Sequence, residues 1–129
     1  MKPIIPKVSR YVLGLIFFVF GIAGLFNLIP PPPDMPEKLQ SFMTTMVATG
    51  YFFPVLKITE IICGLLLLIG FAPALALIIL APISLQIFLL HAFLTPGISN
   101  LIIPILIIGL HFTAAIGYWS SYQPLFKKN

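Results

Sequence analysis

Residues 60–127 read EIICGLLLLIGFAPALALIILAPISLQIFLLHAFLTPGISNLIIPILIIGLHFTAAIGYWSSYQPLFK, and no Asp, Glu, Lys or Arg occurs between the first and the last of them. A helix needs about 20 apolar residues to cross the hydrocarbon of a bilayer, so this stretch has room to cross repeatedly. Gly70-Phe71-Ala72-Pro73 and Thr95-Pro96-Gly97 break the run, and with the residues just before Glu60 they give spans at about 53–70, 73–94 and 101–122. Transmembrane strands need segments of about ten residues with alternating polarity. These runs are unbroken, and the expected fold is all-α. Connections this tight make the second, third and fourth spans antiparallel neighbours.

A first span, about 8–29, precedes them. It follows Lys2, Lys7 and Arg10 and so imitates a secretory signal, but it ends in Asn27-Leu28-Ile29 and four prolines rather than in a small-residue cleavage site. It reads as an uncleaved spanning helix. Pro30 to Pro33 stop it, because proline lacks the N–H and forces the preceding residue out of helical geometry. Between the first two spans, Asp34 and Glu37 match a capping box, and Leu39, Phe42, Met43, Met46 and Val47 recur at helical spacing. A short amphipathic helix in the interface, about 35–49, is expected there, serving either as a linker or as a lid over the bundle. The whole, 129 residues, reads as one polytopic domain: a four-helix transmembrane bundle with one interfacial helix.

Composition agrees. Hydrophobic residues make up 60% of the chain and charged residues 8%, with a mean hydropathy of +1.13, whereas a soluble domain carries roughly a quarter charged residues. The net charge of +4 resides chiefly at the two ends, where it reads as a topology signal and a contact to anionic lipid, not as a nucleic-acid surface. Lys2, Lys7, Arg10, Lys127 and Lys128 flank the outer spans, against Lys38 alone in the first loop. Both termini are therefore expected in the cytoplasm. Tyr11, Tyr118, Trp119 and Tyr122 then fall at the inner interface, and Tyr51, Phe52 and Phe53 at the outer one.

Ionisable groups are costly inside a membrane unless they pair or line a cavity. At about 1.5 Å per residue, Glu60 and Gln86 lie roughly 10–12 Å below the outer surface, His111 about 15 Å, and His91 and Asn27 within about 5 Å. That shared depth suggests a polar cavity in the outer half. Lys57, Glu60 and Gly64 share a helix face, and the Lys57–Glu60 spacing permits an ion pair. On the fourth span Pro104, Ala114, His111 and Tyr118 form a face able to point inward. Each polar residue also has a packing role open to it, as a hydrogen-bonding group between helices, and the Lys57–Glu60 pair can be structural or functional. Cys63, the sole cysteine, excludes an internal disulfide and reads as packing. His91, His111 and Glu60 show no diagnostic metal spacing, so no metal site is expected. Gly14, Gly21 and Gly24 give the first span a smooth packing face. Pro82 leaves the Ile78 carbonyl without its usual donor one turn from Gln86.

The stretch from Phe53 to Gly70, with Ala74-Leu75-Ala76-Leu77, Leu80-Ala81-Pro82-Ile83 and Ile87-Phe88-Leu89-Leu90-His91, resembles the bacterial DoxX-like membrane proteins. Gly14 to Gly21 and the Met-Pro of the outer loop fit as well. The resemblance implies a four-helix protein of the bacterial inner membrane. It also implies association with redox systems, since the founding name belongs to a thiosulfate:quinone oxidoreductase. The family's shared polar positions fall on Lys57, Glu60 and His91. Gln86 stands where asparagine is expected and His111 where a carboxylate is common, while an arginine frequent after the second span is missing at Phe71-Ala72. Two functions follow as expectations. In one, the bundle binds a quinone or similar lipid-soluble molecule, with Glu60 and His111 handling protons and Gln86 or His91 bonding a carbonyl oxygen. In the other, it is a non-catalytic membrane subunit, scaffold or small-molecule carrier, with a redox-enzyme subunit or a second copy of itself as partner. The sequence carries no flavin, haem or iron–sulfur motif, and whether the chain is an enzyme is left open.

Overall fold

The structure is a computed structural model that describes residues 4–28, 35–95 and 97–127. Four long apolar helices, α1 (Ile4–Leu25), α3 (Phe52–Ile69), α4 (Pro73–Leu94) and α5 (Ile98–Ile116), are each long enough to cross a membrane. The short α2 (Glu37–Ala48) joins α1 to α3, and α6 (Trp119–Tyr122) follows α5 before a 3-10 turn over Gln123–Phe126. No strand occurs among the described residues, and the chain is an all-α membrane protein. α1 packs on α3 and α5, and α4 packs on α5 and α3. Consecutive long helices are thus neighbours, and the last closes onto the first.

The helix ends have local causes. α1 stops at Leu25, and Asn27 adopts a positive φ of 54°; the expected end of this span at residue 29 lies outside the described residues. Asp34 of the expected capping box does too; α2 starts with Pro36 as its N-cap and Glu37 in its first turn. A carboxylate there complements the helix dipole. Gly70 closes α3 in the left-handed region (φ 76°), and both its N–H and that of Phe71 donate to the Leu66 carbonyl, the glycine-terminated helix stop that brings the chain round tightly into Pro73. The fourth span is shorter than 101–122 suggests. α5 ends at Ile116, and α6 is a separate turn begun at Tyr118.

Lipid removes the hydrophobic drive for helix association, which leaves close packing and interhelical hydrogen bonds to hold the bundle. The α1–α3 contact shows how closely: a Cβ placed on Gly64 would lie 2.7 Å from the Phe18 backbone nitrogen and 2.8 Å from the Gly14 carbonyl oxygen. Below this contact Leu13, Phe17, Cys63, Leu67, Ala76, Leu77, Leu80, Ile107 and Ala114 form the core. Outward-facing apolar side chains such as Ile62, Ile103 and Phe112 are more than half exposed, as suits a surface bathed in lipid. α2 buries no residue and rests on α3 and α4.

The two ends of the bundle differ. The starts of α1 and α4 and the ends of α3 and α5 meet at one end, where Arg10 reaches Tyr118 and Tyr122 reaches Ala74. The core occupies that half. The opposite half, between the start of α3 and the end of α4, is where the polar side chains gather.

Candidate functional site

All four long helices contribute to a cavity of about 300 Å³ in that second half. Its polar lining comes from Lys57 and Glu60 on α3 and His91 on α4; its walls are Ile16, Phe17, Phe20, Ala23 and Gly24 of α1, Ile87 of α4, and Ile103 and Ile107 of α5. The volume lies at the small end of the range for ligand pockets, which are apolar with a few convergent polar groups.

Lys57 and Glu60, one turn apart on α3, pair with Nζ 3.4 Å from Oε2. Glu60 is the more enclosed, its side chain 5% exposed against 18% for Lys57. The Lys57 ammonium also lies 5.5 Å from the centre of the Phe53 ring, within cation–π range. Room for its stem comes from Gly24, where a Cβ would sit 2.6 Å from Lys57 Cε. A larger residue on α1 would force the ammonium out of this position.

His91 enters one turn before the end of α4. Thr95 Oγ1 lies 3.2 Å from the His91 carbonyl and 2.9 Å from its Nδ1. Both contacts are hydrogen bonds when the hydroxyl donates to the carbonyl and Nδ1–H donates to the hydroxyl. That tautomer leaves Nε2 with its lone pair, and Nε2 has no partner among the described residues. Thr95, 5% exposed, is therefore the residue that orients the imidazole. Its spacing of four from His91 was the available signal, since a Thr one turn on can bond back to the helix.

Two of the expected cavity residues stand elsewhere. Gln86 is exposed on the outside of α4 and makes no hydrogen bond among the described residues. It follows Ser84, which is 3% exposed and faces inward, and two residues turn a helix by about 200°. Depth put Gln86 level with Glu60, but rotation carries it to the lipid side. His111 is engaged with α4: Nε2–H donates to the Leu77 carbonyl at 2.9 Å, and Nδ1 accepts from the Ser84 hydroxyl at 3.0 Å. Both ring nitrogens are thus used. His111 ties α5 to α4 on either side of Pro82 and lines a different cavity, an almost wholly apolar groove of about 540 Å³ that runs to Trp119, Tyr122 and Phe126. The larger volume lacks convergent polar groups, and the smaller has them.

The lone Cys63 is buried in the core. Among the described residues no group of three His, Cys, Asp or Glu side chains could hold a metal ion.

No curated protein and no solved structure matches the chain. The family model DoxX matches residues 5–93, a stretch that contains Lys57, Glu60 and His91 and ends before α5 and His111. With α1 to α4 covered almost entirely by that match, this multi-pass membrane chain belongs to the DoxX family.

Proposed function

We propose that the chain is an inner-membrane protein of a bacterium, with both termini in the cytoplasm, whose Lys57–Glu60–His91 cavity binds a quinone or another small lipid-soluble carbonyl compound. The observation that supports this reading is the convergence of a cation, a carboxylate and an imidazole on one small apolar cavity. The Lys57 ammonium donates to a carbonyl oxygen. The Glu60 carboxylate and the free Nε2 of His91 accept from a reduced ring's hydroxyl groups, and Phe17 and Phe20 give the ring an apolar wall. A quinone supplies two-electron redox chemistry; its electrons come from a partner redox protein, while this chain holds the ring and exchanges its protons.

The test is to purify the parent, Glu60→Gln and His91→Phe in mild detergent, measure thermal stability, and quantify co-purifying quinone by mass spectrometry. Parent protein carrying quinone that both variants lose while still folded supports the reading. A parent with no quinone above the lipid background overturns it.

Gln86 favours a second reading, that of a non-catalytic membrane subunit. An amide exposed in mid-span seeks a polar partner on another helix, and a partner subunit supplies one.

A further inference from the structure

At the end of the bundle away from the cavity, Arg10 is 9% exposed, although its charge is permanent. Its Nη1 donates to Tyr118 Oη at 2.9 Å, and its Cζ lies 4.3 Å from the Tyr11 ring centre. Its Nε is sealed from solvent with no partner, and Nη2 has none either among the described residues. No carboxylate among the described residues answers the charge. The described acidic residues are Glu37, on α2, and Glu60, the latter ten residues along α3 from Gly70 and so about 15 Å away.

The guanidinium rests against Gly70, the left-handed residue that ends α3, where a Cβ would come within 3.4 Å of Nη1 and 3.6 Å of Nη2. The α3 C-terminus gives partial compensation to a cation placed there, but it leaves the Nε–Nη2 edge of the fork unused. With Nε sealed, Nη2 is the donor a phosphate oxygen engages, through a charge-assisted bond. Tyr118 Oη accepts from Arg10 and keeps its own proton to donate. Lys7, one turn earlier on α1, and Lys127, beyond the 3-10 turn, are exposed and add positive potential at this end.

From the buried, half-satisfied guanidinium, the absence of a described carboxylate near it and the free Tyr118 proton, we infer that Arg10 and Tyr118 form a binding site for one phosphate group. Its source is a phospholipid headgroup or a soluble phosphate. The site is separate from the Lys57–Glu60–His91 cavity and stands or falls independently of it.

The full chain in mild detergent is titrated with phosphatidylglycerol, and in parallel with a cationic dialkyl-trimethylammonium lipid, and bound lipid is counted by native mass spectrometry. Thermal stability of lipid-free micelles is compared in inorganic phosphate and in chloride of equal ionic strength. One saturable phosphatidylglycerol per chain, weakened about tenfold in Arg10→Gln and less in Tyr118→Phe, is the expected result for a lipid source, the loss of one charge-assisted contact being worth about that factor. Stabilisation by inorganic phosphate that Arg10→Gln abolishes is the expected result for a soluble source. If Arg10→Gln does not fold, the parent and Tyr118→Phe carry the same comparison. Equal binding of the anionic and cationic lipids by the parent, with no response to phosphate, overturns the site, and so does a Tyr118→Phe protein that responds as the parent does.

Discussion

Replacing Glu60 with leucine leaves the Lys57 ammonium inside the bundle without its counter-charge. Breaking a buried pair by removing one partner costs roughly 3–5 kcal/mol. Lys57 keeps 18% of its side chain exposed and retains the Phe53 ring 5.5 Å from Nζ, an attraction of about 0.5–1 kcal/mol. The single change therefore belongs at the lower end, about 3 kcal/mol. Replacing both partners together, Lys57→Met with Glu60→Leu, removes the uncompensated charge and costs about 1 kcal/mol or less, since apolar side chains of similar volume substitute well for buried pairs. Reversible unfolding in mixed micelles of increasing SDS content, followed by circular dichroism, measures both. A Glu60→Leu protein as stable as the parent, or a double variant no better than the single one, would refute the dry ion pair.

Three further outcomes follow from particular contacts. Gly64→Ala places a methyl 2.7 Å from the Phe18 backbone nitrogen and should cost about 1–3 kcal/mol by forcing α1 from α3; Gly109→Ala, which meets nothing within 4 Å, should be neutral or mildly stabilising in the same assay. His111→Phe should lose about 1 kcal/mol with its two bonds to α4, yet leave any ligand retained in the Glu60 cavity unchanged, as mass spectrometry of the purified variant will show. A periplasm-active reporter fused after Pro33 should be active and one fused after Lys128 inactive; activity at the second fusion would contradict the cytoplasmic termini.

The four long helices were legible because each depends on a property that sequence carries directly, a long apolar run with at most two charged residues, bounded by proline or glycine. The Lys57–Glu60 pair was legible for a similar reason, since a spacing of three fixes two side chains on one helix face whatever the helix packs against. Gln86 and His111 stand outside the Lys57–Glu60–His91 cavity, and sequence does not reveal this, because depth along a span follows from counting residues but rotation about the helix axis does not. α4 is apolar on every side, so its pattern marks no inward face; the small, buried Ser84 and Ala76 mark it instead. For His111 the deciding neighbours, Leu77 and Ser84, are 34 and 27 residues away in sequence. Arg10 read as a topology signal, and its burial depends on Tyr118, 108 residues further on.

The most direct test of the cavity is to label native membranes containing the parent protein with a photoreactive quinone analogue and map the adducts by peptide mass spectrometry. Binding beside Lys57, Glu60 and His91 predicts adducts within Ile16–Gly24, Lys57–Glu60 and Ile87–His91, suppressed by excess unlabelled quinone and by Glu60→Gln. Adducts confined to the apolar groove between Phe112 and Phe126, or labelling that excess quinone does not suppress, would contradict it.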